Sequence, residues 1–381
     1  MNRRTDIDAL RGLMLILMTI THVPTRYSQW LSQPLGFVSS AEGFVFLSAY
    51  LVGSVYTARA TRDGVWAMCG ALWRRARLVW LCQIATLIFL FTLIAEISVH
   101  SEQASIRNLL SFYLADPVDA LWASALMLYN PPLLDILPMY LMFMLVSPAL
   151  LAAGLRRNGW LLIIIGSMAL WTLAQFGVLH ALYDGLVSTT EWKIPLNQTG
   201  AFELAAWQLI WVLGMWLGAR HATGSERTPL PAWALAGAVV FAAMCVVWRH
   251  AVGQTPFGAD AAFNVLFDKW RLGPLRLVDF FALMVVVMHF GPSVAARVNL
   301  RPLAFLGRAS LPVFCAHVVA VLLVLSVAGD VAGKAPMWAE TALLLAILLA
   351  LVATARLSNA VGRTTHARRL PQRRLEAGAA V

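Results

Sequence analysis

Runs of about 20 apolar residues recur from one end of this chain to the other, the length an α-helix needs to cross the hydrocarbon core of a bilayer. Of the 381 residues, 60% are hydrophobic and only 13% charged, against about 25% charged in a soluble domain. A core of this size cannot hide so much apolar surface from water. A soluble enzyme, a disordered chain and a single-span anchored domain are therefore excluded. A β-barrel would need segments of about 10 residues alternating apolar and polar, and none is evident. The expectation is an all-α, polytopic integral membrane protein.

Ten candidate spans cover residues 10–27, 37–57, 78–98, 133–154, 160–180, 201–219, 231–250, 274–291, 303–326 and 336–356. Together with short loops they make one membrane domain over 1–357. Segment 104–130 is too broken by Asp and Pro to span, and is expected to lie at the interface or re-enter. Residues 358–381 are Arg-rich and read as a disordered cytoplasmic tail. With the N-terminus inside, alternation places most of the 29 Lys and Arg residues on the cytoplasmic side and most of the 19 Asp and Glu outside. That is the positive-inside pattern, so both termini are expected in the cytoplasm. The formal net charge of +10 is then a topology signal rather than one for nucleic acid. Of the four cysteines, Cys82, Cys245 and Cys315 fall in spans and Cys69 in an Arg-rich loop, so no disulfide framework is expected. No CxxC or Cys/His spacing suggests a metal, and the first apolar stretch has no signal-peptide cleavage site.

Ionisable groups at membrane depth cost at least about 2.5–3.5 kcal/mol each, which makes every one of them a functional candidate. Arg11 and His22 lie on the first span. Eleven residues separate them by about 16 Å along the axis and return both to nearly one face. Glu42 opens the second span at about the depth of His22, where a carboxylate could orient the imidazole. Further polar groups gather at outer helix ends: Asp135, Glu203, Asp268, Lys269, Arg271, Arg276 and Asp279. Trp122, Trp192, Trp207 and Trp270 could stack on sugars or form the interfacial aromatic belt. Ser48, on a small-residue face, and Arg276 are the candidate oxyanion donors. His317, in the ninth span, could be a structural hydrogen bond or serve the site. At the inner side Arg11, Arg74, Arg75, Arg77 and Arg308 could grip phosphates, although retention of positive charge inside explains most of them as well.

The opening RRTDIDALRGLMLILMTITH resembles the transmembrane acyltransferase family 3, whose first helix carries an Arg, ten residues and a His. That spacing alone is weak, but it occurs once and at the depth the family has it. The stretches AEGFVFLSAYLVG, LLDILPMYLMFMLVSPALL, AWQLIWVLGMWLG, LGPLRLVDFFALM and LGRASLPVFCAHVV narrow the resemblance to its OpgC branch. They run in the expected order over nearly the whole chain. The resemblance implies about ten helices, a cytoplasmic acyl-CoA donor and a periplasmic glucan acceptor, with succinyl as the acyl group. His22 matches the family's helix-one base, Arg11 its donor-serving arginine, and Glu42 the acid of an AExFVFLSG-like segment. Ala49 stands where that segment often has Gly. Asp279 stands where another polar residue, His, would be expected.

The resulting expectation is a multi-pass acyltransferase of the bacterial inner membrane. His22 is the general base, supported by Glu42. Arg11, Arg74, Arg75, Arg77 and Arg308 hold the acyl-CoA. Ser48, Asp135, Trp207, Arg271, Arg276, Asp279 and His317 serve the acceptor or acyl group, with Arg271 or Arg276 on a second carboxylate. No cofactor is bound permanently, acyl-CoA being a co-substrate, and the oligomeric state is left open. Within the enzyme class the competing expectation is an O-acetyltransferase of another surface or lipid-linked glycan. A transporter or flippase also uses buried His, Glu and Arg, but no inverted repeat or paired broken helices are evident.

Overall fold

The computed structural model describes residues 4–101, 103–190, 194, 196–224, 230–329 and 334–378, with Leu179, Thr190 and 362–378 as backbone only. The described residues are helical, with no strand. Ten principal helices run in order: α1 (Thr5–His22), α2 (Ser40–Asp63), α3 (Val65–Phe89), α4 (Ile136–Gly154), α5 (Gly159–Gln175), α6 (Leu204–Ala222), α7 (Ala232–Val252), α8 (Pro274–Arg297), α9 (Ser310–Ala328) and α10 (Met337–Gly378). A π-turn at Leu90–Ile94 continues α3 to His100, so that this helix runs from Val65 to His100 over 36 residues. The Tyr113 hydroxyl donates to the Phe91 carbonyl in that turn, satisfying a group the wider turn disturbs.

Among the described residues seven helices are long and apolar enough to cross a membrane: α2, α3 with its continuation, α4, α7, α8, α9, and α10 as far as Val361. Gly159–Gln175 and His180–Thr189, bent by 71°, make an eighth if they form one span. The helices α1 and α6 fall short by composition. Asp6, Asp8 and Arg11 interrupt α1, and Gln208, Arg220 and His221 interrupt α6. Their surroundings explain this. Trp207, Trp211 and Met215 of α6 are essentially unexposed, and a helix sheathed by protein does not need an apolar surface all round. By contrast α7, α8 and α10 bury only 17–22% of their apolar windows and lie at the periphery.

Several boundaries differ from the sequence expectation. Helix α1 ends at His22 rather than 27, because Pro24 has no backbone N–H with which to continue it. Helix α3 begins at Val65, well before 78. Arg74, Arg75, Arg77 and Cys69 are therefore helical, not in a loop. The expected ninth span divides at Ala309 into a short helix, Arg301–Arg308, and α9. Segment 104–130 breaks into the short helices Ala104–Leu109, Ser111–Ala115 and Pro117–Ala125. All four cysteines are free thiols.

Two backbone-to-backbone crossings set the core. A Cβ on Gly53 would stand 2.0 Å from the Met215 carbonyl oxygen, and one on Gly218 2.1 Å from that of Tyr50, so α2 and α6 meet without side chains between them. Likewise a Cβ on Gly12 would stand 2.0 Å from the Leu303 oxygen, and one on Gly307 1.8 Å from that of Asp8. This second crossing presses α1 onto the short helix and delivers Arg11 to the start of α9. Replacing Gly307 by Ala is therefore expected to cost about 1–3 kcal/mol or more, because backbone must move. At Gly237, where a Cβ would meet nothing within 4 Å, the same change should be neutral or better. Thermal unfolding of the two variants in detergent checks this, and equal midpoints would refute it.

Candidate functional site

Arg276 in the first turn of α8 meets Glu42 in the first turn of α2, and Lys269 lies within electrostatic reach of both Glu42 and His22, so these helix starts and the last residue of α1 share one end of the bundle. At that end a capping box forms the entry to α2. The Ser39 hydroxyl and N–H both donate to a Glu42 oxygen, at 2.5 and 3.1 Å, and this fixes the Glu42 carboxylate in the first turn. Its other oxygen accepts from Arg276 of α8 at 2.5 Å. The ion pair is fully enclosed, with side chains 0% and 1% exposed. One turn on, Asp279 accepts from the Phe37 N–H at 2.8 Å, which pins the strained approach at Gly36 (φ +100°). Glu42, Arg276 and Asp279 thus bolt α8 to the start of α2.

His22 is not hydrogen-bonded to Glu42. Its Nδ1 lies 2.9 Å from Nε2 of His317 on α9, with the two rings tilted by only 19°. His317 is buried, and its Nδ1 lies 3.2 Å from the Phe314 carbonyl oxygen. That carbonyl can only accept, so Nδ1 of His317 carries a hydrogen. Two imidazoles in contact do not both carry charge. In a neutral His317, Nε2 is bare and accepts from the Nδ1–H of His22. The Nε2 of His22 then keeps its lone pair, on a residue that remains partly accessible. This is the protonation pattern of a general base.

Eleven residues below His22 on α1, Arg11 donates to the Ser310 hydroxyl at 2.7 Å and sits over the Phe44 ring at 5.6 Å. Helix α9 therefore runs beside α1 as a second rail, with Ser310 opposite Arg11 and His317 opposite His22. The rises are about 16 Å on α1 and about 10 Å on α9, the difference being taken up by the long Arg11 side chain. Ser310 was not among the sequence candidates. Its signal was available, since Ser310 and His317 are seven residues apart and share a helix face.

The other candidates divide between the two ends. Arg308 reaches Asp8 at 3.7 Å, close to Arg11. Arg74 and Arg75 lie near Tyr56 toward that same end, and no carboxylate comes within ion-pair distance of Arg74, Arg75 or Arg77 among the described residues. Ser48 is buried with its hydroxyl unpartnered. Asp135, just before α4, accepts from the Ala201 N–H at 3.2 Å. Trp207 is 0% exposed, donating to the Trp270 carbonyl at 3.0 Å and packing edge-on against Phe202. It is core, and no sugar can reach it. Trp192 lies outside the described residues. Arg271 joins a separate cluster: its Nη2 is 3.4 Å from His180, which is 3.1 Å from Glu203.

One residue at the His22 end of the bundle was given no role from the sequence. Lys269, in the turn before α8, lies within electrostatic reach of His22, Glu42, Asp135 and Arg276. Burial draws its ammonium below its usual pKa, with Glu42 the main opposing influence. Only its place in the 268–279 charge cluster hinted at this, because a loop residue has no helical periodicity to aim it.

The family model described as OpgC protein matches residues 3–363. No curated protein and no solved structure matches the chain.

Proposed function

From a chain that belongs to the OpgC family, and so to acyltransferases of glucan modification, we propose an enzyme that moves a succinyl group from cytoplasmic acyl-CoA to glucan hydroxyls across the inner membrane. The observation that carries this reading is the paired rail of α1 and α9. It has a base-competent imidazole at one end and an arginine about 16 Å away at the other. Helices α1 and α6, polar but sheathed by protein, complete ten spans in this reading, with both termini inside.

The nucleotide of the donor is too polar to cross, so it stays at the inner mouth near Arg11, Arg308 and the Arg74–Arg77 face. A pantetheine arm is of the same order as the rail and presents the thioester near His22. The Nε2 of His22 takes the proton of a glucan hydroxyl as its oxygen attacks the carbonyl carbon. His317 accepts the Nδ1–H of the imidazolium and holds the ring in place. The tetrahedral intermediate collapses with cleavage of the C–S bond, and the departing thiolate takes the proton from His22. Of the two sequence candidates for the oxyanion, Arg276 is closed on Glu42, which leaves the unpartnered Ser48 hydroxyl. Direct transfer is favoured, because the carboxylates that the Ser39 hydroxyl and the Cys245 thiol meet, Glu42 and Asp279, are already committed to Arg276 and to the Phe37 N–H.

Mass spectrometry of periplasmic glucans from cells with and without the protein tests this. The expected result is loss of the succinyl increment, with anionic glucans becoming neutral. Unchanged glucans would overturn the acceptor and acyl assignment and direct the search to O-acetylated surface glycans.

A further inference from the structure

The donor geometry of the proposed function, on which this inference rests, sends the far end of the acyl chain outward. The sulfur points to the cytoplasm and the carbonyl sits at His22, so the remaining carbons continue toward the outer turn. An acyl group ending in a carboxylate would bring a negative charge there, and at low dielectric that charge needs a fixed cation. Arg276 does not serve, because Glu42 already closes on it within a fully buried pair. Arg271 does not serve either, being held in the His180–Glu203 cluster.

Lys269 remains. Its Nζ lies 4.6 Å from the centre of the Trp270 ring and 5.9 Å from that of Phe202. These aromatic faces hold the ammonium in place without using its N–H donors. Trp270 is itself fixed, its carbonyl accepting from both the Trp207 indole and the Glu203 N–H at 3.0 Å. No hydrogen bond or ion pair engages the ammonium among the described residues, although Glu42 and Asp135 stand within its electrostatic reach. Glu42 is committed to Ser39 and Arg276, and Asp135 accepts from Ala201. Three donors are thus held within electrostatic reach of the base, with no hydrogen-bond acceptor among the described residues.

We propose that Lys269 binds the terminal carboxylate of the acyl group and is the residue that selects a dicarboxylic acyl donor over a neutral one. Trp270 and Phe202 position it, and Asp135 and Glu42 moderate its charge when the site is vacant of acyl.

The test uses full-length protein in lipid nanodiscs with succinyl-CoA or butyryl-CoA as donor and a glucan as acceptor. With Lys269→Met, kcat/KM for succinyl-CoA should fall roughly 100-fold, as expected for a buried charge pair that loses one partner. The value for butyryl-CoA should change by less than about threefold. Lys269→Arg should recover most of the succinyl activity. An equal fall for both donors, or none for succinyl-CoA, overturns the assignment. Donor binding, read by thermal shift without acceptor, separates it from the acyl-transfer reading. Wild-type protein that prefers succinyl-CoA, with the preference lost in Lys269→Met, supports the carboxylate site even where no transfer is seen. Absence of that preference in the wild type overturns it.

Discussion

Replacing His22 by Ala is expected to reduce acyl transfer by about 10²–10⁴-fold, the usual contribution of a positioned general base. The protein should remain folded, because His22 is the last residue of α1 and part-accessible, and α1 is anchored by its glycine crossing with the Arg301–Arg308 helix as well as by the His317 contact. The partner on α9 makes the experiment more informative. His317→Leu removes the acceptor for the Nδ1–H of His22 and frees the ring to turn or change tautomer. Turnover should then fall by about 10²-fold, in line with the loss of a group that orients a catalytic residue. His317→Gln places an amide oxygen where Nε2 stood, so it should restore most of the rate. A merely structural His317 would give the reverse signature, with Leu tolerated in an apolar helix and Gln harmful. Wild-type turnover in His22→Ala would remove the residue from the chemistry altogether. Rates are read as glucan acylation by purified protein, alongside a folding control by size exclusion.

The second large effect concerns the Glu42–Arg276 pair. Arg276→Met leaves a fully buried carboxylate without its cation, an imbalance that costs about 3–5 kcal/mol. Glu42→Gln strands the arginine instead, while keeping a side chain able to complete the capping box with Ser39. In the double variant neither charge is left uncompensated, and most of the loss should be recovered. Thermal midpoints in detergent for the two single variants and the double variant supply the cycle. Additive losses would mean that the two groups do not act as a pair. The same series separates Glu42 from the base. If the carboxylate acted directly on His22, the double variant would regain stability but stay as inactive as Glu42→Gln.

The apolar runs determined much of this protein by themselves. A helix of about 20 apolar residues satisfies its own backbone in lipid, so the helical class and the places of the principal helices follow from local sequence alone. The Arg11–His22 spacing is equally local, being one helix and one face. The ends of the helices were less legible, since Pro24 stops α1 at His22 while nothing in the composition of 65–77 reveals that α3 has already begun.

Only the tertiary structure decided the partners. The sequence puts Glu42 in the first turn of α2, but whether it meets His22 or Arg276 depends on which helices stand beside α2. That arrangement is governed by glycine crossings such as Gly12–Leu303 and Gly53–Met215, which bring together residues hundreds of positions apart. His317 reaches His22 only because α9 lies parallel to α1, and Lys269 reaches the same site from a loop with no periodicity to announce it. Trp207 shows the converse. Its indole looked available to a sugar at a helix end, and packing against Phe202 and Trp270 made it core. Spacing along one helix is set by covalent geometry, whereas contact between helices is set by packing that no single segment encodes.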